Sequence, residues 1–127
     1  MSKVKFTSID NFDGFEDMLN VELLWTNSSP TSIFNSQTIS LPTITKFKNL
    51  LIIFRKRTDQ DMYFNLFMDV DERATVLANQ STYFLFREVN RNGDGLYFWV
   101  AHAVNTTNGN DGTDNAGLIP FKIYGIN

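Results

Sequence analysis

The segment from Val21 to Leu41, VELLWTNSSPTSIFNSQTISL, admits few folds. Val21, Leu23 and Trp25 alternate with Glu22, Leu24 and Thr26, the period of a strand with one buried face. Asn27-Ser28-Ser29-Pro30 follows as a turn, because Asn and Ser bond to the nearby backbone and Pro fixes its own φ. Alternation then resumes, with Ile33, Asn35, Gln37, Ile39 and Leu41 on one face and Phe34, Ser36, Thr38 and Ser40 on the other. Two such strands joined by a turn bury Trp25 and Phe34 only when sheet packs on sheet.

The rest of the chain repeats the pattern. Lys3 to Ile9 reads as a short strand, and residues 10–20 as a loop or one helical turn that tucks Phe15 against the sandwich, since Gly14 weakens a helix there. Pro42 ends the second strand by removing a ladder donor. In Lys48 to Arg57 the unbroken apolar run Leu50–Phe54 predicts a central strand covered on both faces, and Arg55, Lys56 and Arg57 read as its solvated end. Residues 58–61 form a polar turn, and Met62 to Met68 returns to complete a hairpin. Residues 69–73 read as an acidic loop, and Ala74 to Ala78 carries only a weak strand signal.

Tyr83 to Val89 alternates cleanly, with Tyr83, Leu85, Arg87 and Val89 against Phe84, Phe86 and Glu88. Residues 90–95 read as a hairpin loop in which Asn-Gly and Asp-Gly supply positive φ. In the next strand Leu96, Phe98, Val100, His102 and Val104 share one face, and Tyr97, Trp99, Ala101 and Ala103 the other. Residues 105–116 have no apolar period and read as a long polar loop. The last strand sets Ile119, Phe121 and Ile123 against Lys122 and Tyr124, with Pro120 requiring an edge or a bulge. About eight strands and almost no helix predict an all-β chain, a jelly-roll-like antiparallel β-sandwich. It would be one domain over residues 1–127, with residues 1–20 as an N-terminal strand and loop.

Composition narrows the function. A net charge of −3 provides no basic face for nucleic acid. The absence of Cys removes disulfides, thiolate zinc sites and thiol nucleophiles. No run approaches the roughly 18 apolar residues of a membrane-spanning helix, and residues 1–18 lack the apolar region of a secretory signal. The expected chain is thus made in a cytoplasm, without membrane or nucleic-acid partner.

Candidate sites are few. His102 is the sole histidine; acid–base or nucleophilic work needs a partner in reach, and the sequence places none. A partly exposed strand histidine is the plainer reading. Asp111 and Asp114, with Asn108 and Asn110, offer oxygen ligands, as do Asp69, Asp71 and Glu72, but neither spacing matches a Ca²⁺ loop, and solvated turns are expected. No metal or cofactor is therefore assigned. Tyr97 and Trp99 beside two alanines form a platform for a sugar ring, unless they fill the core or a subunit interface. The acidic pairs Asp59/Asp61 and Glu16/Asp17 fix no distance suited to glycoside hydrolysis. The binding candidates are Tyr97, Trp99, Asn108, Asp111 and Asp114, with no catalytic residue.

Two stretches carry a family resemblance. Leu23, Leu24, Trp25, Thr26, Asn27, Pro30, Thr31, Phe34, Gln37, Thr38 and Leu41 form the first, and Ile119, Pro120, Lys122, Ile123, Tyr124, Gly125 and Ile126 the second. In these the chain resembles a small β-rich module common at the C-termini of tail and minor structural proteins of phages and prophages of Gram-positive bacteria. The resemblance covers most of the chain from Val21 onward, the middle matching only in character. It implies a virion structural protein, not an enzyme, at a tail fibre, tail tip or baseplate periphery, serving appendage assembly or host attachment. The implied partners are other virion proteins, further copies of the chain (such appendages are commonly trimeric) and a host cell-wall glycan. The contact surface would be loops 90–95 and 105–116 at one end of the sandwich. The alternative is a stand-alone carbohydrate-binding jelly-roll module, with a structural Ca²⁺ as an option. A hydrolase would need a cleft holding two carboxylates or a His–carboxylate pair.

Overall fold

Alternating apolar and polar residues become nine strands in a computed structural model that describes residues 21–56, 62–80 and 82–127. They are β1 (Val21–Thr26), β2 (Gln37–Ser40), β3 (Asn49–Arg55), β4 (Tyr63–Asp69), β5 (Ala74–Gln80), β6 (Tyr83–Asn92), β7 (Gly95–Asn105), β8 (Asp111–Thr113) and β9 (Ile119–Ile126). The only helical turn among them is a 3₁₀ turn at Ile44–Lys46. The strand expected over residues 3–9, the loop over 10–20 and the turn over 58–61 lie outside the described residues.

Two antiparallel sheets pack face to face as a β-sandwich. One has the order β1-β9-β3-β4; the other has the order β2-β7-β6-β5, with β8 added beside β7. β1 and β2 diverge into opposite sheets, and each pairs with a late strand, β9 and β7 respectively. That wrap is the jelly-roll feature. The middle of the chain is simpler: β3–β4 is a hairpin and β5–β6–β7 a meander. The two strands expected to form an early pair therefore do not pair. The second is also shorter than its alternation suggests, because residues 27–36 run as turns whose backbone bonds go elsewhere: Ser32 N–H to Ser29, and Phe34 N–H to Asn115.

Between the sheets lie Leu50, Ile52 and Phe54 of β3, Leu66 and Met68 of β4, Val76 and Ala78 of β5, Leu85 and Val89 of β6, Leu96 and Phe98 of β7, and Ile119 and Ile123 of β9. Phe98 sits at the centre, edge-on to Phe34 at 5.5 Å and to Phe54 at 6.2 Å. Trp25 reaches the same stack through Phe34, at 6.3 Å. The sheet-on-sheet burial of Trp25 and Phe34 read from the sequence is thus present, with Phe34 buried and Trp25 half-buried. β3 is central, as its apolar run requires, and Ile53 on its outer face is buried as well.

Three expectations need correction. Arg55 does not leave the core: its side chain is buried, with Nε donating to the Lys56 carbonyl. Residues 105–116 are no open loop but fold back as β8 onto the end of β7. Pro120 lies at a bulge, as one arm of the expectation had it, yet β9 is an interior strand between β1 and β3. The bulge sends Phe121 to the outer face, where it packs with Tyr124 and not with Ile123.

Candidate binding face

One extra residue in β7 decides which side chains meet solvent. β6 and β7 pair in register from Asn92↔Gly95 to Val89↔Phe98, then resume at Arg87↔Ala101. Glu88 therefore faces two residues, Trp99 and Val100, and side-chain parity reverses beyond that bulge. Leu96 and Phe98 point inward before it; Ala101 and Ala103 are the buried and half-buried residues on the core side after it. The expected face of Leu96, Phe98, Val100, His102 and Val104 does not exist. His102 and Val104 share the outer face with Tyr97 and Trp99.

That outer face is rich in rings. Leu77, Phe86, His102 and Thr113 stand side by side across β5, β6, β7 and β8. Phe86 stacks on the His102 ring, with centroids 4.6 Å apart and an interplanar angle of 5°, and Phe84 lies 5.9 Å from Phe86. Tyr97 and Trp99 meet edge to face at 5.0 Å. The Arg73 guanidinium lies over the Trp99 ring at 4.6 Å and bonds Glu88 at 3.2 Å, while the indole N–H donates to Asn90 Oδ1 at 2.5 Å. Leu77 is 60% exposed and Trp99 40%. Cross-strand aromatic pairs stabilise the sheet locally, but apolar area left on an outer face is the mark of a contact surface.

His102 has the carboxylate partner that the sequence did not place. Asp111 sits diagonally across the β7–β8 pairing and approaches Nδ1 at 3.0 Å and 3.2 Å. Among the described residues no hydroxyl bonds the other ring nitrogen, and the pair lies on an open sheet face. Its visible work is to fasten β8 to β7. Both partners are partly exposed, so solvent screens the pair. An Asp111→Asn variant is expected to lose less than about 1 kcal/mol in a thermal melt.

The sequence-derived candidates divide. Tyr97 and Trp99 come together on the outer face. Asn108, Asp111 and Asp114 do not converge: Asn108 Oδ1 accepts the Asn110 N–H in an exposed turn, Asp111 serves His102, and Asp114 is half-buried with Oδ1 accepting the Ala116 N–H. Among the described residues no three His, Asp or Glu side chains gather as a metal site would require. In the second acidic loop Asp71 pairs with Arg91 at 2.6 Å, and Asp69 accepts the Asp71 N–H. These two carboxylates line a cleft of about 350 Å³ with Lys48 and Arg91, so its charges balance. Loops 90–95 and 105–116 lie at opposite ends of β7, an 11-residue strand some 35 Å long, and cannot form one surface. The carboxylate pairs Asp59/Asp61 and Glu16/Asp17 lie outside the described residues.

Sequence reasoning missed Arg87 and Asn115. Arg87 is fully buried on the inner face of β6. Its Nη2 donates to the Phe34 carbonyl at 2.6 Å and to Asn115 Oδ1 at 2.7 Å, and its guanidinium lies 5.4 Å from the Phe34 ring. Asn115 Oδ1 also accepts the Ala101 N–H and the Asn115 backbone carbonyl accepts the Phe34 N–H, so one residue ties together β6, β7 and the turn at Phe34. Burial pushes the Arg87 guanidinium down to about 10, and Asp114 nearby pulls it back. The signal was present: Arg87 alternates with Leu85 and Val89 on the apolar side of its strand.

With this geometry in hand, the chain was compared with known proteins: no family model, no curated protein and no solved structure matches it.

Proposed function

We propose that the chain is a non-enzymatic structural module of a phage or prophage tail appendage, which uses the outer face of its five-stranded sheet for contact. One observation carries the reading. The two stretches of the resemblance, far apart in sequence, are one structural unit. β1 pairs with β9 from Val21↔Ile126 to Thr26↔Lys122. Beyond β1, the Asn27 N–H donates to the Phe121 carbonyl at 2.8 Å and its side-chain amide to the Pro120 carbonyl at 2.9 Å, across 93 positions of sequence. Residues that have to fit each other are the ones a module repeated in many contexts would keep together.

The contact chemistry follows from the outer face. Rings offer flat apolar area to the C–H faces of sugars, and the neighbouring amides Asn79, Asn90 and Asn92 offer neutral hydrogen bonds. Trp99, exposed and outside the core, also favours the carbohydrate-binding alternative. Light scattering of the full chain after size exclusion separates the two readings. A trimer mass supports the appendage module; a monomer at every concentration overturns it in favour of a free-standing binding module. In either case Trp99→Ala is expected to weaken retention on purified Gram-positive cell walls by about tenfold, the loss of about 1.4 kcal/mol of contact. Unchanged retention removes the outer face as the host contact.

A further inference from the structure

The two sides of the sandwich, where the sheets end, are built differently. A turn over residues 70–73 joins β4 to β5, so these two strands end their sheets on the same side, and β1 and β2 lie on the other. The β1 side is blunted. β1 is six residues long, carries Glu22 and is interrupted by a bulge between Leu23 and Trp25. The second sheet ends there in two short pieces, β2 of four residues and β8 of three, both beside β7. Short length, charge and bulges are the means by which an edge is kept from pairing with another chain. The β4–β5 side has none of them. Each strand is seven residues long and pairs with its inner neighbour without a register shift. Their sequences, YFNLFMD and ATVLANQ, hold no Pro and a single charged residue, Asp69, at the end of β4. Large apolar side chains stand out along both, with Tyr63 48% and Phe67 62% exposed on β4 and Leu77 60% on β5. Among the described residues no strand pairs with either outer edge.

We propose that a second copy of this chain docks on the β4–β5 side, edge to edge, about a two-fold axis that passes through both sheets. Two features select this occupant. The open edges come as a matched pair. Counted from their shared turn, the middle of β4, Leu66, falls across from the middle of β5, Leu77. A two-fold axis through these midpoints pairs β4 with β4 and β5 with β5, antiparallel and together, so that each sheet runs on across the contact. An extended segment of another protein would fill one edge and leave the other open. The area also suffices. Seven residues span roughly 24 Å, and two sheets with their outward side chains span roughly 25 Å. That is roughly 600 Å² per copy and roughly 1,200 Å² in all, the lower end of specific interfaces. No like charges meet, because Asp69 at one end of β4 lies opposite Tyr63 at the other end of its copy. The contact uses the same surface on both copies and closes on itself. It concerns the edges of the sheets and stands apart from the proposed use of the outer face.

Light scattering of the full chain after size exclusion tests it, with two variants at exposed positions, Leu77→Lys on β5 and Phe67→Lys on β4. Each brings like charges together at the contact, and circular dichroism checks that the sandwich is kept. The parent mass is expected to be two chains, or six where three-fold association of the appendage also holds. Each variant is expected to halve it. Leu23→Lys, exposed on the blunted side, is expected to leave it unchanged. A parent mass of one or three chains overturns the proposal, and three chains does so while leaving the appendage reading in place. A mass that either edge variant leaves unaltered, or that Leu23→Lys also halves, overturns it as well.

Discussion

An Arg87→Ala variant is expected to melt about 10–15 °C below the parent protein, a loss of about 3–5 kcal/mol for a domain of this size. The estimate rests on what Arg87 touches. Two charge-assisted hydrogen bonds disappear, each contributing about 1.5–3 kcal/mol. The Phe34 carbonyl loses its guanidinium donor, and a cavity opens beside Phe34. An opposing gain comes from relieving a buried cation whose Nε and Nη1 have no hydrogen-bond partner. Arg87→Met separates these contributions: it fills the space and removes the charge, so it is expected to cost less than about half as much. Equal losses for Ala and Met would show that the hydrogen bonds alone matter.

The pH dependence of that loss has a definite sign. Burial lowers Arg87 from its ordinary value in the unfolded chain to about 10 in the fold. Between those values the unfolded chain binds more protons, so this group makes stability rise with pH there. Below about pH 9 it is charged in both states and adds no slope. The Arg87→Ala loss is therefore expected to be flat from about pH 6 to about pH 9 in thermal melts.

Gly125→Ala is the other substitution with a large effect. Gly125 lies in the interior strand β9 between Glu22 and Leu50, and a Cβ there would stand 2.5 Å from Cγ of Phe47. The ring is itself buried, so it cannot simply swing away. Overpacking of this kind costs about 2–4 kcal/mol. Gly125 is not among the positive-φ glycines Gly93 and Gly109, so the cost comes from the clash and not from the backbone. A double-mutant cycle checks this. In a Phe47→Ala background the space is vacant, and Gly125→Ala is expected to be nearly neutral. An equal cost in both backgrounds would refute the packing argument.

The sandwich was legible because its signal is local. Period-two alternation in Tyr63–Met68, Tyr83–Val89 and Leu96–Phe98 needs no knowledge of the partner strand. Partners were not legible where pairing is remote: nothing in Val21–Thr26 says that it pairs with β9 and not with β2. Bulges were the second obstacle. One unpaired residue near Trp99 reverses every side chain after it, so faces assigned by counting fail from Val100 onward, and the same happens at Phe121. Charge was the third. Arg55 was read as a solvated strand end by type, and Arg87 was placed on the face of Leu85 and Val89 without its burial being drawn from that; both lie inside. For the candidate site, the Tyr97–Trp99 pair was legible and its outward position was not, because that position depends on the second sheet. Asp111 found a partner in His102 only because residues 111–113 fold back as β8.

The antiparallel pairing of β1 with β9 also governs how the protein answers a mechanical load. Val21 and Ile126 are direct cross-strand partners at the same end of the sheet. A pull applied between them peels β1 from β9 like a zipper, loading one hydrogen-bonded pair at a time. A pull between Thr26 and Ile126 would instead slide the strands past each other and load all the pairs together. Held from one side only, the module carries no tension through this seam. Stretched between both sides, it opens there first, at low force, leaving the five-stranded sheet to unfold later.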